Sequence, residues 1–328
     1  MKKLLLCAGL IIALVSCSDS SSTEPEVIQP DNSIRLNKMV KIDYDSNGGV
    51  NSVFTTNYRY DSQNRLNTII RDLKPGYDST LYFYLGGNSL AGRIVNKNSL
   101  NRDSTVIRRT YDGQYRPLYS FLKQYNQGAL YYSDSAAFVY NGSSLPSQVL
   151  GLTNHYSDNT NSSYSNQFFY DGSLLTKAVQ SFHVRELYYK DNLLALVVDH
   201  SSSEQDSVVV DKVVNGKITK VSTRNNHNGL LSWELVYDSQ GRVVGKKESR
   251  DSVMQRYYIY SYGQNGEILN VKYYTYSNGS SQLSEYQYEY TAGRSNSEQL
   301  KRMDRFCADY IYCEVKTFLP WENPVELP

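Results

Sequence analysis

The 328-residue sequence has few of the features from which a function is usually inferred. It contains 4 cysteines, 4 histidines, 8 prolines and 2 tryptophans, and its formal net charge is +1. A near-neutral chain lacks the basic excess that is typical of nucleic-acid-binding proteins, so we expect no nucleic-acid partner. The longest apolar run, residues 4–15, is too short to span a bilayer as a helix. The fold must therefore be inferred mainly from patterns that repeat along the sequence.

Motifs for catalysis and cofactor binding are also missing. The sequence has no His-Glu-x-x-His, no Gly-x-Ser-x-Gly elbow, no phosphate-binding loop and no dinucleotide glycine pattern. The histidines, at positions 155, 183, 200 and 227, are scattered, which favours solvated or loop residues over metal ligands. We therefore predict no enzyme activity, no catalytic residue, no metal and no cofactor. An envelope hydrolase with carboxylates in a cleft of a sheet remains the alternative.

One stretch matches half of a calcium-binding loop. Asp43-Tyr44-Asp45-Ser46-Asn47-Gly48 alternates oxygen-bearing side chains and then places a glycine, as such a loop requires. The twelfth position, which needs a bidentate Glu, is Phe54. We therefore interpret the stretch as a tight turn.

The first residues are typical of a targeting segment. Lys2 and Lys3 precede the apolar run, which ends in Leu14-Val15-Ser16-Cys17. This ending resembles the bacterial lipobox, in which the chain is cleaved before a cysteine that becomes lipidated. The resemblance implies a signal peptide at 1–16, a lipid on Cys17 and a flexible tether at 17–33, with the outer membrane as the location. A plain secretory peptide is the alternative.

Tyrosine is the outlier of the composition, with 31 residues against 9 Phe. Many of these tyrosines precede a turn, as in the hairpin at 233–247 (WELVYDSQGRVVGKK). Tyr and Val suit a pleated strand, while Asp and Gly suit the turn. After several such turns apolar residues recur at a step of three, as in Leu66 and Ile69 or Ile268 and Val271. A β-bulge near the start of the returning strand would keep both on one face.

Two kinds of turn alternate along the chain. Those of the first kind lie at Tyr44-Asp45, Tyr60-Asp61, Tyr84-Leu85-Gly86-Gly87, Tyr111-Asp112-Gly113, Tyr140-Asn141-Gly142, Tyr170-Asp171-Gly172, Tyr189-Lys190-Asp191-Asn192, Val214-Asn215-Gly216, Tyr237-Asp238, Tyr262-Gly263 and Tyr290-Thr291-Ala292-Gly293. More varied turns lie between them. The pattern predicts an all-β fold, an extended, strongly twisted antiparallel meander of about twenty strands over residues 34–306.

The recurring Tyr-x-Tyr-Asp strands and the returning Gly-Arg-Val or Asn-Arg-Leu resemble YD (Rhs-type) repeats. Residues 237–243 (YDSQGRV) match that pattern closely, and the other copies are degenerate. The resemblance implies a long, coiling sheet of hairpins in a short bacterial lipoprotein. Large members of the family enclose a C-terminal toxic domain, so a component of a secreted toxin system is a further alternative, which the short chain argues against.

The C-terminal part carries the remaining two cysteines, Cys307 and Cys313. In an oxidising compartment an even pair predicts a disulfide, although two free thiols are possible. We interpret residues 307–328 as a cap of the repeat domain. Phe318-Leu319-Pro320-Trp321 supplies an apolar plug, and the prolines cannot donate in a continuing ladder. We expect the Trp321 segment to fold back over the end of the sheet.

Asp-Ser followed by Thr, Ala or Val occurs five times, each time before a strand. The triplet resembles the acceptor of an O-glycosylation system of some Gram-negative envelopes, which implies modification at Ser79, Ser104, Ser135, Ser207 and Ser252. A turn-closing Asp-Ser explains the same repeat, and we prefer that interpretation. For the whole protein we expect a non-catalytic envelope lipoprotein that binds a glycan or a protein, or acts as a scaffold, through a Tyr-rich sheet.

Overall fold

The computed structural model describes residues 34–292, except for 74, 85–89, 143, 173, 181–182, 201–204, 226–228 and 278–279. Within these residues the chain forms twenty β-strands, which confirms the all-β prediction. Their bounds are β1 Ile34–Tyr44, β2 Val50–Tyr60, β3 Leu66–Asp72, β4 Tyr77–Tyr84, β5 Ala91–Asn98, β6 Ser104–Tyr111, β7 Pro117–Asn126, β8 Ala129–Val139, β9 Gln148–His155, β10 Thr160–Asp171, β11 Leu174–Gln180, β12 His183–Lys190, β13 Leu193–His200, β14 Gln205–Val214, β15 Lys217–Asn225, β16 Gly229–Tyr237, β17 Val243–Arg250, β18 Val253–Tyr262, β19 Ile268–Ser277 and β20 Ser280–Ala292.

The sheet closes on itself. Every strand pairs antiparallel with its neighbours in sequence, and β1 pairs on one edge with β2 and on the other with β20. The closing register runs from Ile34 opposite Ala292 to Asp43 opposite Ser284. The predicted open, extended meander is therefore wrong, and so is the long coiling sheet implied by the YD-repeat resemblance. A twisted sheet of this length can curl until its first and last strands meet, and closure leaves no unpaired edge.

The bulges expected after the tyrosine turns are present. Tyr60 pairs with Leu66 and Arg59 pairs with Thr68, so one residue is extra on β3. Because of this extra residue, Leu66 and Ile69 lie on the same face of the sheet. Equivalent register shifts precede β5, β7, β11, β13, β17 and β19.

The two faces of the sheet differ in burial. Directly paired residues share a face and residues two apart along a strand share a face, so the registers assign each side chain. Nearly all buried apolar side chains lie on one face, the face that carries Tyr58, Leu175 and Val271. Most large exposed apolar side chains of the strands, such as Phe121 and Val236, lie on the other face. Side chains converge on the inside of a cylinder, so we call the buried face the inner face.

The strands end at two rims. We call the rim where the even-numbered strands end the Tyr rim, because β2, β4, β6, β16 and β18 end there in tyrosine. Both Ile34 and Ala292 lie at this rim. The opposite end is the far rim. The turn after Tyr44 joins β1 to β2 at the far rim, so Tyr44-Asp45 does not belong to the series of tyrosine turns with which its sequence grouped it.

Candidate functional site

Tyrosine hydroxyls connect successive turns around the Tyr rim. Tyr84 donates to the carbonyl oxygen of Leu66 at 2.6 Å, and Tyr262 donates to that of Val243 at 2.6 Å. In each case the acceptor is the residue that pairs with the tyrosine of the preceding turn. Within the described residues nine tyrosines make this contact at 2.6–3.3 Å, namely 60, 84, 111, 140, 170, 189, 237, 262 and 290. We call these contacts tyrosine staples.

Asp and Arg of the same turn hold each other in place. Asp238 Oδ1 accepts the N–H groups of Gln240 (3.0 Å) and Arg242 (2.8 Å), and its Oδ2 accepts Arg242 Nε at 2.7 Å. The N–H and guanidinium of Arg242 lower the pKa of Asp238 below its ordinary value. Gly241 takes a φ of +80°, which the turn requires and a glycine adopts without strain. The turns at Asp61 and Asp112 repeat the same contacts.

The turn arginine also covers the next tyrosine. The Arg242 guanidinium carbon lies 4.6 Å from the centre of the Tyr262 ring, and that of Arg65 lies 4.3 Å from the Tyr84 ring. A cation over an aromatic face is attracted by the ring quadrupole. The Tyr-Asp-x-x-x-Arg pattern therefore has a structural role: Tyr, Asp and Arg tie each turn to its neighbour.

A polar cavity of about 440 Å³ lies near the far rim. The strands β3 to β8 line it, and β3 contributes Ile69 and Arg71 without the intervening Ile70, so the cavity opens on the inner face. Four adjacent strands place Thr80, Asn96, Thr105 and Gln124 side by side in a single cross-strand row. We call these four residues the polar row. It offers hydroxyl and amide groups at the strand spacing of about 4.8 Å.

The charged groups of this cavity are arranged around the polar row. Asp78 accepts a hydrogen bond from Asn98 Nδ2 at 2.7 Å, and Asp103 accepts one from the backbone N–H of Gln127 at 3.2 Å. Arg71 lies directly opposite Asp78 in the register, yet within the described residues no ion pair forms between them. Its exposed guanidinium therefore keeps its donors available to a ligand. Tyr131 donates to Gln124 Oε1 at 2.8 Å, which leaves the Gln124 amide N–H₂ to donate.

A second cavity, of about 400 Å³, lies at the Tyr rim beside the closing seam. Its inner-face lining is aromatic and aliphatic, with Tyr58, Tyr60, Tyr262 and Tyr290 around Leu36 and Leu66. Burial raises the pKa of Tyr58 to about 12. The two cavities therefore differ in chemistry and lie at opposite rims.

The residues of the half calcium loop do not converge. Asp43 lies on the inner face, where its carboxylate accepts hydrogen bonds from Ser284, Ser52 and Lys41. Asp45 instead accepts the N–H groups of Asn47 and Gly49 within the turn. In the described part of the chain, no group of three His, Cys, Asp or Glu residues could hold a metal ion. These contacts fit the interpretation as a tight turn.

Four of the five serines of the Asp-Ser triplets lie on the outer face of the sheet, and the fifth lies in a turn. The registers place Ser79, Ser104, Ser135 and Ser207 on the outer face, and Ser252 lies in the turn after β17 with a φ of +67°. The preceding acids have structural contacts: Asp134 accepts Thr153 and Tyr164 hydroxyls, and Asp251 accepts the N–H of Leu230. O-glycosylation at these serines stays a prediction.

Other predicted sites lie outside the described residues. These are the lipidation site Cys17, the disulfide pair Cys307 and Cys313, and the segment around Trp321. Among the histidines, His183 and His200 each lie 3.8 Å from a carboxylate, of Asp199 and Glu186 respectively. No helix in the described ranges is long and apolar enough to cross a membrane.

The comparisons with known proteins give distant structural similarities and no match in sequence. No protein-family model matches the sequence, and no curated protein matches it. A crystal structure of a porin-like protein from Bacteroides uniformis aligns with 78% of this chain and 98% of its own, with a TM-score of 0.34 and 9% sequence identity. The recognition of a YD-repeat protein, made from the sequence, is corrected by the strand pairing itself, because β1 pairs with β20 and closes the sheet into a barrel.

Proposed function

We propose that the protein is a non-catalytic β-barrel lipoprotein of the outer membrane that binds a glycan in the far-rim cavity. The polar row is the observation that carries this proposal. Sugars present hydroxyl groups that both donate and accept, and amide and hydroxyl side chains can satisfy both roles. A cavity of about 440 Å³ lies within the range of small-ligand sites. It is too small and too polar to favour a protein partner.

The same cavity gives little support to the alternative of a hydrolase. Its carboxylates, Asp78 and Asp103, each accept a hydrogen bond from a neighbouring strand or turn. Such contacts hold the strand ends together, and neither residue has a partner that marks it as an acid or a base. Nothing in the cavity resembles part of a toxin system.

Charged side chains on the outer face favour attachment of the protein to the membrane through a lipid rather than insertion of the barrel into the bilayer. Cross-strand ion pairs lie there at Lys177–Glu186 (3.4 Å), Lys220–Glu234 (3.5 Å) and Lys38–Glu289 (2.8 Å). A Lys on the lipid-facing side of a barrel costs roughly 2–4 kcal/mol at the bilayer midplane, whereas in water such pairs are neutral to mildly stabilising. The proposed lipid on Cys17 would then hold the barrel at the membrane surface.

Binding can be tested with a panel of neutral and acidic oligosaccharides and the purified protein, by calorimetry or on an array. We expect at least one glycan to bind, and Asn96→Ala or Gln124→Ala to weaken that binding about tenfold, since each removes about 1.4 kcal/mol of polar contact. Asn161→Ala and Gln167→Ala, which remove exposed amides from the outer face, are matched controls. Failure of every glycan to bind, or equal effects of all four substitutions, would reject the proposal.

Attachment is tested separately in a Gram-negative host. Cys17→Ala should release the protein from the membrane fraction into the periplasm or the medium, because the tether would carry no lipid. Retention of the variant in the outer membrane would mean that the lipid is not the anchor.

A further inference from the structure

We propose that the Tyr-rim cavity is the docking site of the chain's own C-terminal segment, with Phe318 and Trp321 inserted in it. The proposal is independent of glycan binding, because the two cavities lie at opposite rims of the barrel. It rests on the chemistry of the cavity, on where β20 ends and on the sequence that follows.

Most polar side chains of the cavity already have partners within the barrel. Tyr60, Tyr262 and Tyr290 donate their hydroxyls to backbone carbonyls as staples. Arg35 Nη1 donates to Asn64 Oδ1 at 2.7 Å while its guanidinium lies over the Tyr60 ring. Glu267 Oε2 accepts the N–H of Asn265 at 2.9 Å. The cavity therefore offers mainly ring faces and aliphatic carbons, which favour an apolar or aromatic occupant.

The chain leaves the barrel beside this cavity. Ala292, the last residue of β20, pairs with Ile34, and Ile34 lines the cavity. The sequence continues from residue 293 to 328 and contains two apolar stretches, residues 306–313 and Phe318-Leu319-Pro320-Trp321, of which the second contains proline. Because the segment is tethered at the rim, its local concentration at the cavity is in the millimolar range, so even weak apolar contacts would keep it bound.

Prolines prevent this stretch from forming a further β-strand. Pro320, Pro324 and Pro328 lack an N–H, so the segment cannot extend the sheet as another strand. The sheet also has no free edge for it, since β1 and β20 pair with each other. The segment can therefore bind by inserting its side chains into the cavity, but not by pairing its backbone with a strand.

The two tryptophans make the proposal testable in the full-length chain. Trp233→Phe leaves Trp321 as the sole tryptophan. We expect its fluorescence emission to be blue-shifted and its quenching by iodide to be several-fold weaker than in the same protein in denaturant. Ile34→Glu, added to this background, places a charge in the cavity and should shift the emission to the red and restore quenching.

Val53→Glu is the matched control, because Val53 lies on β2 but faces outward and is 49% exposed. Circular dichroism and the unfolding temperature show whether each variant keeps the barrel. A Trp321 that is quenched as readily in the native protein as in denaturant would overturn the proposal. So would a protected Trp321 that a folded Ile34→Glu variant leaves unchanged, since the segment would then be bound elsewhere.

Discussion

At the scale of single residues, the staples give nine tyrosines a structural role. A buried or half-buried hydroxyl needs a partner, and at the Tyr rim that partner is the start of the strand next to the one that carries the tyrosine. Phenylalanine would fill the same volume but leave the carbonyl without its donor. The staples thus account for nine of the 31 tyrosines in the sequence.

Removing one staple should therefore lower stability measurably. Tyr262→Phe deletes the 2.6 Å bond to Val243 and keeps the ring beneath Arg242. We expect a loss of about 1 kcal/mol in the free energy of unfolding, measured by denaturant titration. Tyr119→Phe, on a tyrosine that is 61% exposed on the outer face, should change it very little. Equal losses from the two substitutions would show that the staple contributes nothing.

The turn aspartates predict a dependence of stability on pH. Asp238 has a folded-state pKa below its unfolded value, so it stabilises the fold above the unfolded pKa, and this contribution is lost as the pH falls through the folded pKa. Asp238→Asn should lower the unfolding temperature at pH 7, and the difference from the parent should shrink below a pH of about 4. Ser239→Ala, in the same turn, is the control. A difference that is constant with pH would contradict the role of the charge.

In one turn the carboxylate that accepts the backbone N–H comes from the last residue of the turn and not from the first. In the turn after Tyr262 the Asp position is Gly263 and the Arg position is Glu267. A Cβ at Gly263 would lie 2.2 Å from Glu267 Oε1, so the Glu carboxylate occupies the space that the aspartate fills in the other turns. It accepts the N–H of Asn265, as Asp238 accepts that of Gln240. The turn therefore needs a carboxylate acceptor at this point in space, and either the first or the last residue of the turn can supply it.

At the scale of elements, one hairpin lacks its staple. Val213 pairs with Ile218, the residue whose carbonyl accepts the Tyr237 hydroxyl, so Val213 stands where the other hairpins have tyrosine. The sequence suggested Val214 for this place, but two register shifts in β14 move the equivalent position by one residue.

Adding the missing staple should stabilise the barrel. Val213 is 44% exposed, so a larger ring has room there. In Val213→Tyr the new hydroxyl should reach the carbonyl of Leu194, the residue that pairs with Tyr189, and raise the free energy of unfolding by about 0.5–1.5 kcal/mol. Val214→Tyr is the matched control and should give no comparable gain. A gain from the control but not from Val213→Tyr would show that this register is wrong.

The local elements were accessible from the sequence because their causes are local. Tyrosine spacing, turn residues and the step of three from Leu66 to Ile69 predicted strands, turns and bulges that the structure contains. Closure was not accessible, because it depends on the twist accumulated over twenty strands and no residue of β1 or β20 marks it. The polar row was missed for a related reason: Thr80, Asn96, Thr105 and Gln124 come from four strands, and only their registers bring them together.

At the scale of the whole molecule, closure gives the barrel two chemically different ends. Near the Tyr rim the inner face is aromatic and aliphatic, and near the far rim it carries Arg71, Asp78 and the polar row. Both described ends of the chain, Ile34 and Ala292, lie at the Tyr rim. The cavity that is proposed to bind a glycan lies at the opposite rim from both of these ends.

Closure through β1 and β20 is the central claim, and a cysteine cross-link tests it most directly. Val40 and Gln287 lie directly opposite each other across the seam. In the double variant Val40→Cys, Gln287→Cys, mild oxidation should join the peptides that contain these residues, as detected by mass spectrometry. Val40→Cys with Ser163→Cys, which pairs with β9 far from the seam, should give no such product. Efficient cross-linking of the first pair alone is the result we predict; absence of that cross-link in the folded protein would show that the sheet is open.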